Sequence, residues 1–86
     1  MKQMKEEKMK ALKNVIIYTK DYCPFCARVK NFLTSNKVEF KQIRVDEDPK
    51  GYMELKEKTN HQTVPQIFVD GQFIGGAKEF FEWMPG

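Results

Sequence analysis

Cysteine is scarce in this 86-residue chain: there are two, Cys23 and Cys26, separated only by Pro24 and Phe25. A pair that close cannot staple distant parts of a small fold. A bridge between them closes a tiny loop and removes little entropy from the unfolded chain. The spacing therefore speaks against a stabilising disulfide framework and for redox catalysis or half of a metal site. Long apolar runs are missing too, and none approaches the roughly 20 residues that a membrane-spanning helix needs. The N-terminus has no apolar segment followed by a small-residue cleavage site, so no secretory signal is expected and the expected location is cytoplasmic. Internal repeats and low-complexity segments are absent. His61 is the only histidine.

What is present suits one small domain. Apolar residues make up 41% of the chain and include seven Phe and one Trp, enough for a modest core. The net charge of +3 is unevenly placed. Residues 1–13 carry Lys2, Lys5, Lys8, Lys10 and Lys13 against Glu6 and Glu7, while residues 14–86 hold ten basic and ten acidic groups. The chain is thus divided into a basic N-terminal extension, 1–13, and a neutral domain, 14–86. The basic stretch reads as a solvated extension. No Arg-rich cluster with interleaved aromatics marks the rest as a nucleic-acid binder.

The domain alternates strand and helix patterns. Val15-Ile16-Ile17-Tyr18-Thr19 is a short β-branched run, suited to a central parallel strand. Cys23-Pro24 follows, with proline at a first helical position, and Phe25, Val29, Phe32 and Leu33 fall on one helical face up to Asn36-Lys37. Residues 38–45 alternate apolar and polar, which predicts a second strand. Asp48-Pro49 opens a second helix with Tyr52, Leu55 and Thr59 facing inward. Gln66–Val69 and Gln72–Gly75 flank Asp70-Gly71, a hairpin signal for a type I′ turn. A last short helix follows Gly75-Gly76, with Phe80, Phe81, Trp83 and Met84 as core candidates. The order β-α-β-α-β-β-α predicts one four-stranded mixed sheet with helices on both faces.

The two cysteines lie where chemistry is favoured. The thiolate attacks disulfides, and an ordinary cysteine, with a pKa of about 8.5, is mostly protonated at neutral pH. Cys23 falls where a strand ends and a helix begins, so unpaired amides and the positive end of the helix dipole favour its anion. Lys20 upstream, and Arg28 and Lys30 within the helix, bring further positive charge. Cys26 is nearly one turn deeper, which makes Cys23 the attacking sulfur and Cys26 the resolving one. Thr63-Val64-Pro65 precedes the third strand, where a proline that cannot donate to a ladder belongs. Most such bonds are trans. A cis bond would leave the Val64 amide and carbonyl free to pair with an extended peptide held against Cys23.

Together, Cys-Pro-Phe-Cys after a β-branched strand, Thr-Val-Pro-Gln-Ile-Phe-Val-Asp-Gly and the Gly75-Gly76 pair resemble the glutaredoxins, of thioredoxin-like fold. The resemblance spans roughly residues 14–84. It implies a cis Pro65, no bound cofactor, and glutathione as co-substrate and reductant. The implied substrates are disulfide-containing or glutathionylated proteins, with ribonucleotide reductase a candidate client. Apart from the resemblance, a monomer is the default expectation. Cys23 would carry the glutathione mixed disulfide, released by a second glutathione or by Cys26. Lys20 would attract the glycine carboxylate of glutathione, and Val64, beside Thr63 and Pro65, would pair with its cysteinyl backbone. Phe25 replaces the more usual Tyr. Gly76, Ala77, Lys78 and Glu79 would meet the γ-glutamyl end.

Two departures stand out. Lys78 puts positive charge where a carboxylate often meets the glutathione amino group, leaving Glu79 to make that contact. His61-Gln62 stands where an Arg is often seen. These changes keep a rival reading open: a redoxin recharged by thioredoxin reductase that donates electrons to ribonucleotide reductase. A metal or iron–sulfur module is a rival of another class. Two thiolates supply half of a tetrahedral site, and no metal ligand set is expected from this chain alone.

Overall fold

The computed structural model describes residues 12–84. Most of the basic extension, residues 1–11, and the closing Pro85-Gly86 lie outside the described residues. The packed body reaches back into the stretch read as extension: Leu12 is buried, and the Lys13 carbonyl accepts from the Asp70 amide at 3.0 Å.

The elements follow the expected order. They are β1 (Val15–Thr19), α1 (Pro24–Ser35), β2 (Phe40–Arg44), a 3-10 turn (Val45–Glu47), α2 (Pro49–Thr59), β3 (Gln66–Val69), β4 (Gln72–Gly75) and α3 (Ala77–Trp83). The sheet runs β2-β1-β3-β4. β1 is central, parallel to β2 with Val15 opposite Phe40, and antiparallel to β3 with Val15 opposite Val69. β3 and β4 form the hairpin. Its corner residues Asp70 and Gly71 have φ of 52° and 83°, as a type I′ turn requires.

Local chemistry sets the boundaries. Asp48 caps α2 by accepting from the Gly51 amide at 3.1 Å, with Pro49 in the first turn. The second strand starts at Phe40 and not at Val38, because the end of α1 uses the intervening amides. Lys37 takes a left-handed φ of 58° and donates to Thr34 O, while Val38 donates to Leu33 O. That is the Schellman closure, here with a lysine in the position glycine usually fills.

The sheet divides the interior into two clusters. The larger gathers Val15, Ile17, Val29, Leu33, Ile67 and Phe80, bringing α1 and α3 against the sheet. The smaller joins Cys26, Val45, Leu55 and Val64, with Tyr18, Cys23, Tyr52 and Phe68 at its margin, under α2. Two expected core residues stand outside. Phe25 is 57% exposed, because the buried face of α1 in its first turn is taken by Cys26, ahead of Val29 and Leu33. Phe81 is part-exposed, with its ring edge on Phe32.

Candidate active site

Cys26 belongs to the smaller cluster and Cys23 packs against it, so the cysteine pair is built into the packing under α2. β1 ends at Thr19, a turn through Asp21 and Tyr22 follows, and Cys23 is the N-cap of α1 in extended conformation. Its carbonyl accepts the first helical bond from Ala27 at 3.1 Å. Its sulfur accepts from the Cys26 amide at 3.4 Å, so the sulfur fills the role that a Ser or Asp oxygen fills in other helix caps. Pro24 sets the first helical φ without adding an unpaired donor.

The two sulfurs differ in access, and burial bears on the proton of Cys26. Cys23 is half-buried and Cys26 is 1% exposed; both are free thiols. Burial pushes the Cys26 thiol up to about 12, with its hydrogen bond to Cys23 and the Cys23 charge adding to the rise; a backbone hydrogen bond from Lys20 and the Lys30 charge oppose it. Cys26 therefore remains a thiol at neutral pH. Across from the pair, the Cys23 thiol points at the Val64 carbonyl 3.9 Å away, and the Val64–Pro65 bond is cis. Val64 and Pro65 are buried at the start of β3.

A second group of predicted residues meets around Gly76. The Gly76 amide donates to Glu79 Oε1 at 2.8 Å, closing the first turn of the seven-residue α3. The amide that the sequence reserved for a γ-glutamyl carboxylate thus already has an acceptor within the chain. His61 overhangs the same spot: a Cβ on Gly76 would lie 3.0 Å from His61 Nε2 and 3.1 Å from Glu79 Oε1. The Thr63 hydroxyl is 3.4 Å from His61 Nε2. Ala77 is buried, whereas Lys20 and Lys78 are exposed. Phe25 faces solvent on the first turn of α1.

Three supporting residues escape the sequence reading. Tyr52 borders both cysteines, and its hydroxyl donates to the Gln62 carbonyl at 3.3 Å. Burial, followed by the charges of Cys23 and Cys26, raises its phenol above the ordinary value. Gln66 is fully buried, accepting from the Thr59 hydroxyl at 2.8 Å and donating to the His61 carbonyl at 2.7 Å. Arg44 holds Asp21 of the active-site turn together with Asp46. Spacing places Tyr52 on the inward face of its helix with no role at the site attached, and it gives Gln66 and Arg44 none. Among the described residues, no three His, Cys, Asp or Glu side chains gather to hold a metal ion.

Comparison with known proteins agrees with this geometry. The glutaredoxin family model matches residues 15–74. Glutaredoxin 3 of Escherichia coli strain K12 is 41% identical over 68 residues, covering 79% of this chain and 82% of its own. Among solved structures, the holo form of glutaredoxin C1 from Populus tremula x tremuloides superimposes with a TM-score of 0.75 at 33% identity, covering 94% of this chain and 81% of its own. The buckwheat glutaredoxin–glutathione complex gives a TM-score of 0.75 at 26% identity, covering 94% and 78%. With a matching family model over most of the domain, relatives at this identity and a CxxC pair at the head of α1 in a four-stranded mixed sheet, the chain belongs to the glutaredoxin family of thiol–disulfide oxidoreductases.

Proposed function

We propose that this protein is a glutathione-dependent reductant of protein disulfides and glutathione mixed disulfides, with Cys23 as nucleophile and Cys26 as resolving thiol. The observation that carries the reading is the inequality of two sulfurs one helical turn apart. Cys23 is accessible and caps the helix, while Cys26 is buried and holds its proton. In the monothiol route, the Cys23 thiolate attacks the glutathione sulfur of a mixed disulfide. A Cys23–glutathione bond forms, the client bond breaks, and the client thiolate takes a proton from solvent. A second glutathione thiolate then attacks the bound glutathione sulfur, giving glutathione disulfide and restoring Cys23.

In the dithiol route the Cys23 thiolate attacks one sulfur of a client disulfide. A Cys23–client bond forms, the client S–S bond breaks and the other client sulfur leaves as a thiolate. Cys26 then gives its proton to solvent and attacks the Cys23 sulfur. A Cys23–Cys26 bond forms, the Cys23–client bond breaks and the client leaves with both thiols reduced. Two glutathiones, oxidised to glutathione disulfide, restore the pair. Formation of the mixed disulfide favours the attack by Cys26. It removes both the Cys23 charge and the Cys23 hydrogen bond, two of the effects that hold the Cys26 proton in place.

Glutathione would lie with its cysteinyl backbone on Val64, between Thr63 and Pro65, and its glycine carboxylate toward Lys20, near the Phe25 ring. Its γ-glutamyl end would meet Gly76, Ala77, Lys78 and Glu79. The family membership and the buckwheat complex support glutathione as the ligand, and the cis Val64–Pro65 bond beside Cys23 supports its seat. A cytoplasmic, monomeric protein acting on disulfide-containing or glutathionylated clients completes the proposal.

The engagement of Glu79 with the Gly76 amide, beside Lys78, favours a second reading. In it the protein is recharged by thioredoxin reductase and donates electrons to ribonucleotide reductase. Turnover of a glutathionylated peptide decides between them, with glutathione plus glutathione reductase in one arm and thioredoxin reductase alone in the other. Turnover in the first arm is expected. Turnover confined to the second overturns the glutathione contacts.

A further inference from the structure

The two sides of Cys23 are unlike. On one side is the Val64 carbonyl, where the cysteinyl backbone of glutathione is placed above, its glycine carboxylate reaching to Lys20 at the edge of the second side. On the other, an open cleft of about 440 Å3 lies between the turn after β1, the first turns of α1 and Gln42 of β2. Both cysteines line this cleft together with Lys20, Tyr22 and Lys30, and none of Thr63, Val64 and Pro65 does.

Its charge is one-sided. Neither Lys20 nor Lys30 is in an ion pair among the described residues, where the ion pairs all involve Arg44. Asp21, the acidic residue of the lining, is held by the Arg44 guanidinium. Lys30, on the second turn of α1, lines the cleft beside both cysteines.

Tyr22 adds an apolar element. Its backbone sits at φ 57°, a left-handed conformation unfavourable for a bulky residue, and its ring is 100% exposed. Strain that presents an unpacked aromatic ring next to a nucleophile contributes nothing to the core and points outward, to a ligand.

We infer that this cleft docks an extended segment of a client protein that carries an acidic and an apolar side chain next to its oxidised cysteine. The carboxylate meets Lys30, which the glutathione placement leaves unused, and the apolar side chain lies on the Tyr22 ring. Glutathione brings carboxylates but no apolar side chain, so the ring selects for polypeptide. The inference rests on exchange at Cys23 and adds to it the recognition of the client. Docking itself makes and breaks no covalent bond.

The test uses the full chain and its Tyr22→Asn variant. Asparagine tolerates the left-handed backbone and removes the ring. Three substrates are compared: a glutathionylated peptide with Asp and Leu beside its cysteine, the same peptide with Lys for Asp, and the mixed disulfide of glutathione with 2-mercaptoethanol. The intact protein is expected to favour the acidic peptide by about tenfold in kcat/KM at low salt, less at high salt. Tyr22→Asn is expected to lose about fivefold on the acidic peptide and nothing on the small disulfide. Equal turnover of the two peptides overturns the inference, as does an equal loss on the small disulfide. Fluorescence anisotropy of the labelled acidic peptide, with Ser for its cysteine, separates the two readings. If glutathione sustains no turnover, the glutathione reading fails alone. Ring-dependent binding then upholds the docking surface, and equal binding by the variant overturns it.

Discussion

The amide of Cys26 donates to the sulfur of Cys23 across 3.4 Å, so the turn that buries one sulfur also fixes the other at its mouth. Attack and resolution are thereby divided between two residues of the same chemical type. Cys26→Ser keeps the amide and the accessible sulfur. It is expected to go on reducing glutathionylated peptides while losing the dithiol reduction of protein disulfides. Cys23→Ser is expected to do neither. Turnover of both substrate types, measured side by side, checks the assignment, and equal loss in the two variants would sink it.

The buried thiol should also shape stability at high pH. Cys26 keeps its proton up to about 12 in the folded protein, against 9.0 for an unperturbed cysteine. The native state therefore binds more protons than the unfolded chain across that window, and stability falls as pH rises through it. Below pH 9 the contribution is present in full. Urea midpoints under reducing conditions should differ by a constant amount between the intact protein and Cys26→Ser up to about pH 9, and converge above it. A difference that stays constant to pH 12 would contradict the protonated state assigned to Cys26.

Much of this arrangement was legible in the sequence because it is local. The β-branched run of β1, the Asp48-Pro49 cap and the Asp70-Gly71 corner each state their structure within a few residues, and all stand as read. Cys23 reads as lying at a helix start, and it is the N-cap of α1. The misreadings come from competition between neighbours. Phe25 shares a helical face with Val29 by spacing, yet Cys26 occupies the buried position. Val38 has strand-like chemistry but serves the end of α1. Helical spacing turns Tyr52 inward, but its place beside the cysteines, the Arg44–Asp21 pair and the His61–Gly76 approach depend on residues far apart in the chain meeting in space.

Gln66 supports the loop before the third strand from within the same stretch of chain. Its side-chain amide bonds the Thr59 hydroxyl at the end of α2 and the His61 carbonyl of the loop, holding both against the head of β3. Gln66→Leu fills a similar volume but leaves that carbonyl unpaired. A loss of about 1–3 kcal/mol is expected, because a stranded buried polar group costs its desolvation. The urea midpoint measures it. A rise in KM for the glutathionylated peptide should accompany it, since the same loop leads into Thr63 and Val64. A neutral result in both readouts would remove Gln66 from the supports of the site.

Gly75 and Gly76 look interchangeable in the sequence, yet they carry different constraints. Gly75 has φ 130°, and a Cβ there would lie 2.5 Å from the Glu79 Cβ. That contact involves the root of the side chain, so α3 itself would have to shift and the Glu79 bond to the Gly76 amide would be lost. Gly76 has an ordinary φ of −88°, and its added Cβ would meet the far ends of His61 and Glu79, which can swing away. Gly75→Ala is therefore expected to cost about 2–3 kcal/mol, combining backbone strain with the broken cap, and Gly76→Ala about 1 kcal/mol or less. The functional order should be different: displacing His61 and Glu79 at Gly76 should raise the KM for glutathione with little change in unfolding. Urea denaturation and glutathione kinetics on the two variants separate the effects. Equal stability losses would mean that the Gly75 backbone is not the constraint described, whereas an unchanged glutathione KM in Gly76→Ala would take the His61–Glu79 corner out of the glutathione site.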